Sequence, residues 1–131
     1  MEIYMLEEHL TQLVENLALE DALSKENKLY LLKLHKELII TFRELDPGCT
    51  FFATIGICPL NKQEELFIYL MKANLLGQGT GGSIIGLDRD EKFLTLCLVL
   101  PYDMKYKVFK DALEDFTNYL DFWKKELSCY Q

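Results

Sequence analysis

Three apolar runs in the first half of the sequence constrain the fold more than any other feature. They cover residues 29–34, 38–45 and 50–58, and the later two are rich in the β-branched and aromatic residues that favour strands. The second run alternates two sets of side chains, as a strand does: Leu38, Ile40 and Phe42 against Ile39, Thr41 and Arg43. Turns are predicted at His35-Lys36 and at Asp46-Pro47-Gly48, where Pro presets φ and Gly accepts positive φ. Three consecutive strands with short connections predict an antiparallel meander.

Apolar residues at helical spacing occur before and after this meander. In the first predicted helix they recur every three or four positions, at Ile3, Leu6, Leu10, Leu13, Val14 and Leu17. The last helix is predicted to start after Asp103 as its N-cap, with the same spacing at Phe109, Leu113, Phe116, Leu120, Trp123 and Leu127. The second helix is predicted to run from Asn61, its N-cap with Glu64 as capping-box acid, to about Leu76.

A hairpin is predicted between the second and third helices. Its strands are Ser83–Leu87 and Phe93–Leu100, which flank the turn Asp88–Glu91. The order of elements is therefore helix, three strands, helix, two strands, helix. This order predicts an α+β fold in which helices pack on one antiparallel sheet, and with no dividing linker we expect one domain over residues 1–131.

The second predicted helix is more apolar than a surface helix of a monomer needs to be. Six successive, largely apolar residues run from Leu66 to Met71, whereas a half-buried helix shows polar residues on one side. A chain of this size has little material with which to cover such a helix, so the simplest cover is a second subunit. We therefore expect Leu70→Asp to dissociate a dimer and to leave the sheet largely intact.

The chain is acidic, with a formal net charge of −7 and a pI of about 4.8. Phosphate backbones and anionic membranes repel such a surface, whereas a basic or mixed polypeptide segment is attracted. The sequence begins without a basic, apolar leader and has no run of ~20 apolar residues, so neither a signal peptide nor membrane insertion is expected. Four cysteines without a Cys-x-x-Cys pair are expected to be reduced and buried, which suits a cytosolic protein.

The sequence indicates no catalytic, cofactor or metal site, and we expect that the chain is not an enzyme. The loop Gly77–Gly82 has no lysine at the Walker position and follows a helix instead of opening one, which favours a helix C-terminal cap. His9 and His35 have no Cys, His or Asp at ligand spacing, so both are predicted to lie on the surface. The acidic turn Asp88–Glu91 lacks the register of a calcium loop, which indicates an exposed hairpin tip.

The stretch from Ala73 to Asp88, with the sequence ANLLGQGTGGSIIGLD, resembles the signature of the CesT/Tir-chaperone family, the class I chaperones of bacterial type III secretion. The family pattern runs from an apolar helix through Asn-Leu-Leu and a Gly-rich turn to a strand that ends Gly-Leu-Asp. It continues with a Leu-Pro pair, here Leu100-Pro101, and with a last helix that carries a phenylalanine and a late tryptophan, matched by Phe116 and Trp123. The element order agrees over the whole chain.

The resemblance implies a dimeric, ATP-independent chaperone of the bacterial cytoplasm. Such a protein binds an extended N-terminal segment of a secreted effector or secretion regulator, keeps it secretion-competent and helps target it to the export apparatus. By analogy, the second helix and the hairpin form the dimer interface, at Leu66, Phe67, Leu70, Met71, Leu75, Ile84, Ile85 and Leu96. The first helix and the sheet offer a strand edge and apolar patches to the client, at Leu6, Leu10, Leu13, Leu17, Leu31, Ile40 and Phe42.

Two alternatives stay open at the level of sequence. The segment Lys28–Arg43 is more apolar and more basic than is typical of the family, and a heterodimer with a related chaperone competes with a homodimer. The second function is that of a regulatory binding protein that contacts transcription machinery or a secretion regulator. A stable complex with RNA polymerase or a regulator, formed without any effector, would distinguish this function from that of a chaperone.

Overall fold

The computed structural model describes residues 5–18, 23–26, 29–35 and 38–130. Its strands form one antiparallel sheet with the order β1-β2-β3-β4-β6-β5, which confirms the predicted α+β class. A short 3-10 helix, Leu75–Gly77, follows the second α-helix. The bounds of the α-helices and strands are α1 Met5–Asn16, β1 Leu23–Glu26, β2 Leu29–His35, β3 Leu38–Glu44, β4 Cys49–Ile57, α2 Gln63–Asn74, β5 Ile84–Leu87, β6 Phe93–Leu100 and α3 Tyr106–Ser128.

Strand β1 is an element that the sequence analysis did not predict. Its sequence, LSKE, is polar and has no apolar alternation, but its residues pair in register with β2, for example Ser24 with Leu31. The Lys25 ammonium lies 5.2 Å from the centroid of the Tyr30 ring and 3.7 Å from a carboxylate oxygen of Glu7. Main-chain pairing with an apolar neighbour therefore forms this edge strand, which the pattern of its own side chains does not indicate.

The chain divides into two compact units, of which the first comprises the described residues of 1–52 and 99–113. An aromatic cluster forms its core: the ring centroids of Phe42 and Phe51 are 5.1 Å apart, and those of Phe51 and Phe109 are 5.5 Å apart. Helix α1 adds a stripe of buried leucines at the predicted spacing, namely Leu6, Leu10 and Leu13. The predicted first helix also included Ile3, which lies outside the described residues.

The second unit comprises the described residues of 53–98 and 114–131. One face of α2 is buried in it, through Leu66, Leu70 and Ala73. The Trp123 indole N–H donates a hydrogen bond of 3.0 Å to the carbonyl oxygen of Gly79, which joins α3 to the glycine-rich loop. The predicted apolar stripe of α3 is confirmed, since all six of its residues are buried: Phe109, Leu113, Phe116, Leu120, Trp123 and Leu127.

Two predicted helix caps are wrong. Helix α2 begins at Gln63, its N-cap is Lys62 with a left-handed φ of 55°, and no side chain caps it, so Asn61 and Glu64 do not form a capping box. Helix α3 begins only at Tyr106, and the carboxylate of Asp103 instead accepts a hydrogen bond of 3.1 Å from the backbone N–H of Gly48. The Asp103 carboxylate, which its position in the sequence predicted to cap α3, thus binds the β3–β4 turn instead.

The prediction that His9 lies on the surface is also wrong. The imidazole is buried in the first unit, where its Nε2 lies 2.7 Å from the carbonyl oxygen of Met104 and its ring contacts Tyr106 and Phe109. A histidine on the apolar side of an amphipathic helix is tolerated there because a backbone group satisfies its polar atom. His35 ends β2 and its side chain is outside the described part, as is Lys36 in the predicted turn.

Candidate protein-binding surfaces

The outer side of α2 is an exposed apolar surface. Ile68, Met71 and Leu75 are 50%, 72% and 61% exposed, and their spacing of three and four places them on one side of the helix and its 3-10 extension. Leu66 and Leu70 lie on the opposite, buried side. The sequence predicts that α2 needs cover on more than one side, and the described residues of this chain cover only the side of Leu66 and Leu70.

Strand β5, which follows α2 in the chain, carries a further exposed apolar side chain, that of Ile84. Its side chain is 61% exposed, whereas that of the next residue, Ile85, is buried. Asn74 at the end of α2 holds the strand: its Nδ2 donates to the carbonyl oxygen of Ile85 at 2.9 Å, and its Oδ1 accepts from the Ile85 N–H at 2.8 Å. We call the exposed residues Ile68, Met71, Leu75 and Ile84 the α2–β5 face.

The two hydrogen bonds of Asn74 are expected to contribute measurably to the stability of the fold. Because Asn74→Ala leaves the N–H and C=O of Ile85 without these partners, we expect the free energy of unfolding to fall by about 1–3 kcal/mol. Urea denaturation followed by circular dichroism measures the change, and hydrogen exchange should show faster exchange at the Ile85 amide. Asn118→Ala, on the exposed side of α3, is the control and should change little. Equal unfolding midpoints for the two variants would contradict the proposed role of Asn74.

A groove of about 620 Å³ lies between α2, the glycine-rich loop and α3 in the second unit. Tyr69, Ala73 and Phe122 line it, and Trp123 forms part of its wall. The Tyr69 hydroxyl donates a hydrogen bond of 2.6 Å to Glu126, and this bond, with burial, raises the pKa of Tyr69 to about 12. The tyrosine therefore stays protonated and neutral at physiological pH, where it acts as a hydrogen-bond donor.

The glycine-rich loop is a helix C-terminal cap, as predicted. The N–H of Gly79 donates to the carbonyl oxygen of Ala73 at 3.0 Å, and the N–H of Gly82 donates to that of Gly77 at 3.2 Å. Gly81 has a φ of 64° and packs against the ring of Tyr119, so a side chain at this position would be strained and would also collide with the ring. These glycines shape the helix end and its contact with α3.

A third surface lies on the sheet of the first unit. Side chains of β2, β3 and β4 alternate between a buried face, which includes Tyr30, Phe42 and Phe51, and an exposed face. We call the exposed face the outer sheet face; its apolar members are Leu29, Leu31, Ile39 and Phe52. Register places Leu31 beside Thr41 and Thr41 beside Phe52, so the apolar residues of three strands lie close together.

The predicted site residues divide between core and surface. Of the eight assigned to the dimer interface, Leu66, Leu70, Ile85 and Leu96 are buried within the chain, Phe67 is half-buried, and Met71, Leu75 and Ile84 are exposed. Of the seven assigned to client binding, Leu17 and Leu31 are exposed, and the rest are buried: Leu6, Leu10, Leu13, Ile40 and Phe42. Exposed residues that sequence reasoning missed are Ile68, Leu29, Ile39 and Phe52, since an apolar side chain alone does not reveal which face of its element is covered.

The family comparison gives these surfaces their context. The model of the Tir chaperone protein (CesT) family matches residues 8–124. The chain belongs to the CesT family. Members of this family are chaperones of type III secretion, not enzymes, and they bind effector clients, generally as dimers. A comparison with curated proteins finds no match.

In this CesT-family chain the signature stretch from Asn74 to Asp88 has a structural role at both ends. Asn74 binds the backbone of β5, as described above. At the other end, the Asp88 carboxylate accepts hydrogen bonds from the N–H groups of Lys92 and Phe93, at 2.8 and 3.1 Å, and so closes the β5–β6 turn. The motif residues therefore fix β5 to the end of α2 and close the turn that follows β5.

The cysteines of the CesT-family chain are free thiols, as predicted, but they are not all buried. Cys49 and Cys58 are buried, Cys97 is half-buried and Cys129 is exposed. Burial, helped by the nearby charge of Asp103, raises the pKa of Cys49 to about 12, and burial also raises the pKa of Cys58 and of Cys97. These three thiols stay protonated at neutral pH and are therefore poor nucleophiles.

Within the residues that the structure describes, no group of three or more His, Cys, Asp or Glu side chains could hold a metal ion. No helix in the same part of the chain is both long and apolar enough to cross a membrane.

Proposed function

We propose that this protein is a type III secretion chaperone that binds an extended N-terminal segment of a secreted effector or secretion regulator. It keeps that segment secretion-competent and helps deliver it to the export apparatus from the bacterial cytoplasm. The observation that carries the proposal is the CesT-family match, because it extends over residues 8–124 and so includes every helix and strand in whole or in part.

Two exposed apolar surfaces support this proposal and suggest a division of roles. The α2–β5 face is proposed as the dimer interface, with Met71, Leu75 and Ile84 as its contacts, because these apolar side chains are exposed and Asn74 ties the two elements together. Leu66, Leu70, Ile85 and Leu96 support this face from the core below it. The outer sheet face, with Leu31, is proposed to bind the client together with Leu17 at the end of α1. The buried leucines of α1 and the buried Ile40 and Phe42 hold the scaffold that presents these residues.

The function is tested by co-expression of the chain with N-terminal segments of the proteins that the same bacterium secretes through its type III system. We expect at least one segment to co-purify with the chain and to become soluble only in its presence. If no segment co-purifies, while RNA polymerase or a regulator does so without an effector, the chaperone proposal is wrong.

Leu31→Asp tests the client surface with the segment found in this way. A charge among the exposed apolar side chains of the outer sheet face should weaken client binding by at least about tenfold, because it removes apolar contact with the client. The fold should be unaffected, because Leu31 is not part of the core. Val108→Asp, at an exposed apolar position on α3, is the matched control and should bind normally. Isothermal titration calorimetry measures both, and equal affinities would remove Leu31 from the client surface.

A further inference from the structure

The outer sheet face combines apolar and basic side chains in a protein that is acidic overall. Besides its four exposed apolar residues it carries Lys33 on β2 and Arg43 on β3, and both are exposed. The whole chain has 21 acidic against 14 basic residues, so a face whose described charged side chains, Lys33 and Arg43, are both basic departs from the overall charge. An interface discriminates partners by such local complementarity more than by net charge.

The register arranges these residues in three parallel rows across the strands. Lys33 pairs with Ile39 in the first row, Leu31 with Thr41 and Phe52 in the second, and Leu29 with Arg43 in the third. The two cations therefore flank an apolar row. Ile39 and Arg43 are four residues apart on one strand, so the first and third rows lie roughly 14 Å from each other along the strand direction.

Two acidic residues, Glu26 and Glu44, lie on strands next to the two cations. Glu26 pairs with Leu29 in edge strand β1, which places its backbone two strands, or about 10 Å, from that of Arg43. Glu44 is directed to the other side of the sheet, where it accepts a hydrogen bond of 2.7 Å from the hydroxyl of buried Tyr30.

We propose that the outer sheet face selects client segments in which two acidic residues lie four positions apart with an apolar residue midway between them. In an extended segment, side chains on one side repeat every two residues, or about 6.8 Å, so this spacing matches the three rows. The acids pair with Lys33 and Arg43, and the apolar residue packs between Leu31 and Phe52. This inference deepens the proposed function and rests on it, because it specifies the chemistry of the client.

The alternative occupant of a basic patch is a polyanion such as nucleic acid. Affinity for a phosphate backbone comes from many cationic contacts, whereas this face offers two cations separated by apolar side chains. The mixture of charge and apolar contact therefore favours a polypeptide.

Three fluorescein-labelled peptides test the proposal by fluorescence anisotropy. Leu occupies the middle position in all of them, the positions two residues to either side are Glu, Gln or Lys, and the rest of the sequence is identical. We expect the Glu peptide to bind about tenfold more tightly than the Lys peptide, with the Gln peptide between them. This order opposes the attraction that the net charge of −7 exerts on a cationic peptide, so non-specific binding cannot produce it.

A charge-reversal variant provides the control. The double variant Lys33→Glu and Arg43→Glu should reverse the order, so that the Lys peptide binds best, which a misfolded chain would not do. Lys107→Glu with Lys110→Glu changes the net charge equally at exposed positions on α3 and should leave the order unchanged. Circular dichroism of each variant verifies the fold.

Each result decides the proposal. Equal binding of the three peptides, or binding of none of them, overturns the acidic preference. The proposed function is judged separately: it still stands if co-expression captures a client, and it is wrong only if co-expression captures none. Tighter binding of a single-stranded DNA oligonucleotide than of the Glu peptide, lost in the double variant of Lys33 and Arg43, would also overturn it.

Discussion

Replacement of Leu70 by aspartate is expected to lower the free energy of unfolding by more than about 4 kcal/mol. The Leu70 side chain is only 6% exposed, and it packs in the second unit near Leu66, Leu94 and Leu127. Removal of the buried leucine loses apolar contacts worth about 2–5 kcal/mol, and an unpaired carboxylate in that place adds a desolvation cost. A loss of this size approaches the whole stability of a typical domain.

This expectation differs from the one that sequence alone supports, namely that Leu70→Asp dissociates a dimer and leaves the sheet intact. The burial of Leu70 within its own chain makes loss of the fold the expected primary effect. Urea denaturation followed by tryptophan fluorescence measures it, since the single tryptophan, Trp123, lies in the same unit. Leu70→Met, which preserves volume and apolar character, should cost less than about 1.5 kcal/mol. Wild-type stability of Leu70→Asp would show that the side chain is not part of the core.

Replacement of the adjacent residue, Met71, should have the opposite pattern of effects. Met71 is 72% exposed, so Met71→Asp should leave the unfolding transition of a monomer nearly unchanged. At the proposed interface the same charge would lie against apolar side chains of the partner, and twofold symmetry would place two such charges there. We expect the dimer to weaken by at least about 100-fold, as truncation of an interface hot spot does.

Size-exclusion chromatography with light scattering measures this effect over a range of protein concentrations. The wild-type protein should have a mass near twice 15.3 kDa, and Met71→Asp should shift it towards 15.3 kDa. Leu60→Asp is the control, because Leu60 is an exposed apolar residue of the same unit outside the α2–β5 face. A dimeric Met71→Asp variant would move the interface elsewhere. A monomeric wild-type protein would indicate that a different subunit covers this face.

Local sequence signals predicted most of the regular structure. Strands β3, β4 and β6 have the alternation or the apolar run that a strand needs, and α3 has an uninterrupted apolar stripe, so each pattern predicts its element whatever surrounds it. Strand β1 lacks such a pattern and still forms, because its pairing with β2 stabilises it. The misplaced N-cap of α3 has a similar origin, since the Asp103 carboxylate binds Gly48, which is 55 residues away in sequence.

The binding surfaces were only partly predictable. The excess of apolar residues in α2 is visible in the sequence, but the predicted interface included both sides of the helix. Spacing in a helix defines faces without showing which one the rest of the chain covers. In β3 it chose Ile40 and Phe42 for the client, whereas the exposed apolar residue of that strand is Ile39. Both faces of that strand carry apolar residues, so alternation alone could not separate them.

The sequence by itself determined the α+β class and the order of the predicted elements. It also indicated membership of the CesT family, through the signature stretch from Asn74 to Asp88. These features depend on local patterns and on residues near one another in the chain. Only the tertiary structure decided which apolar side chains are core and which are surface. Burial depends on side chains that distant segments bring into contact, as Leu70 and Met71 show: they are neighbours in sequence and similar in hydrophobicity, yet one is covered by the chain and the other is open to a partner.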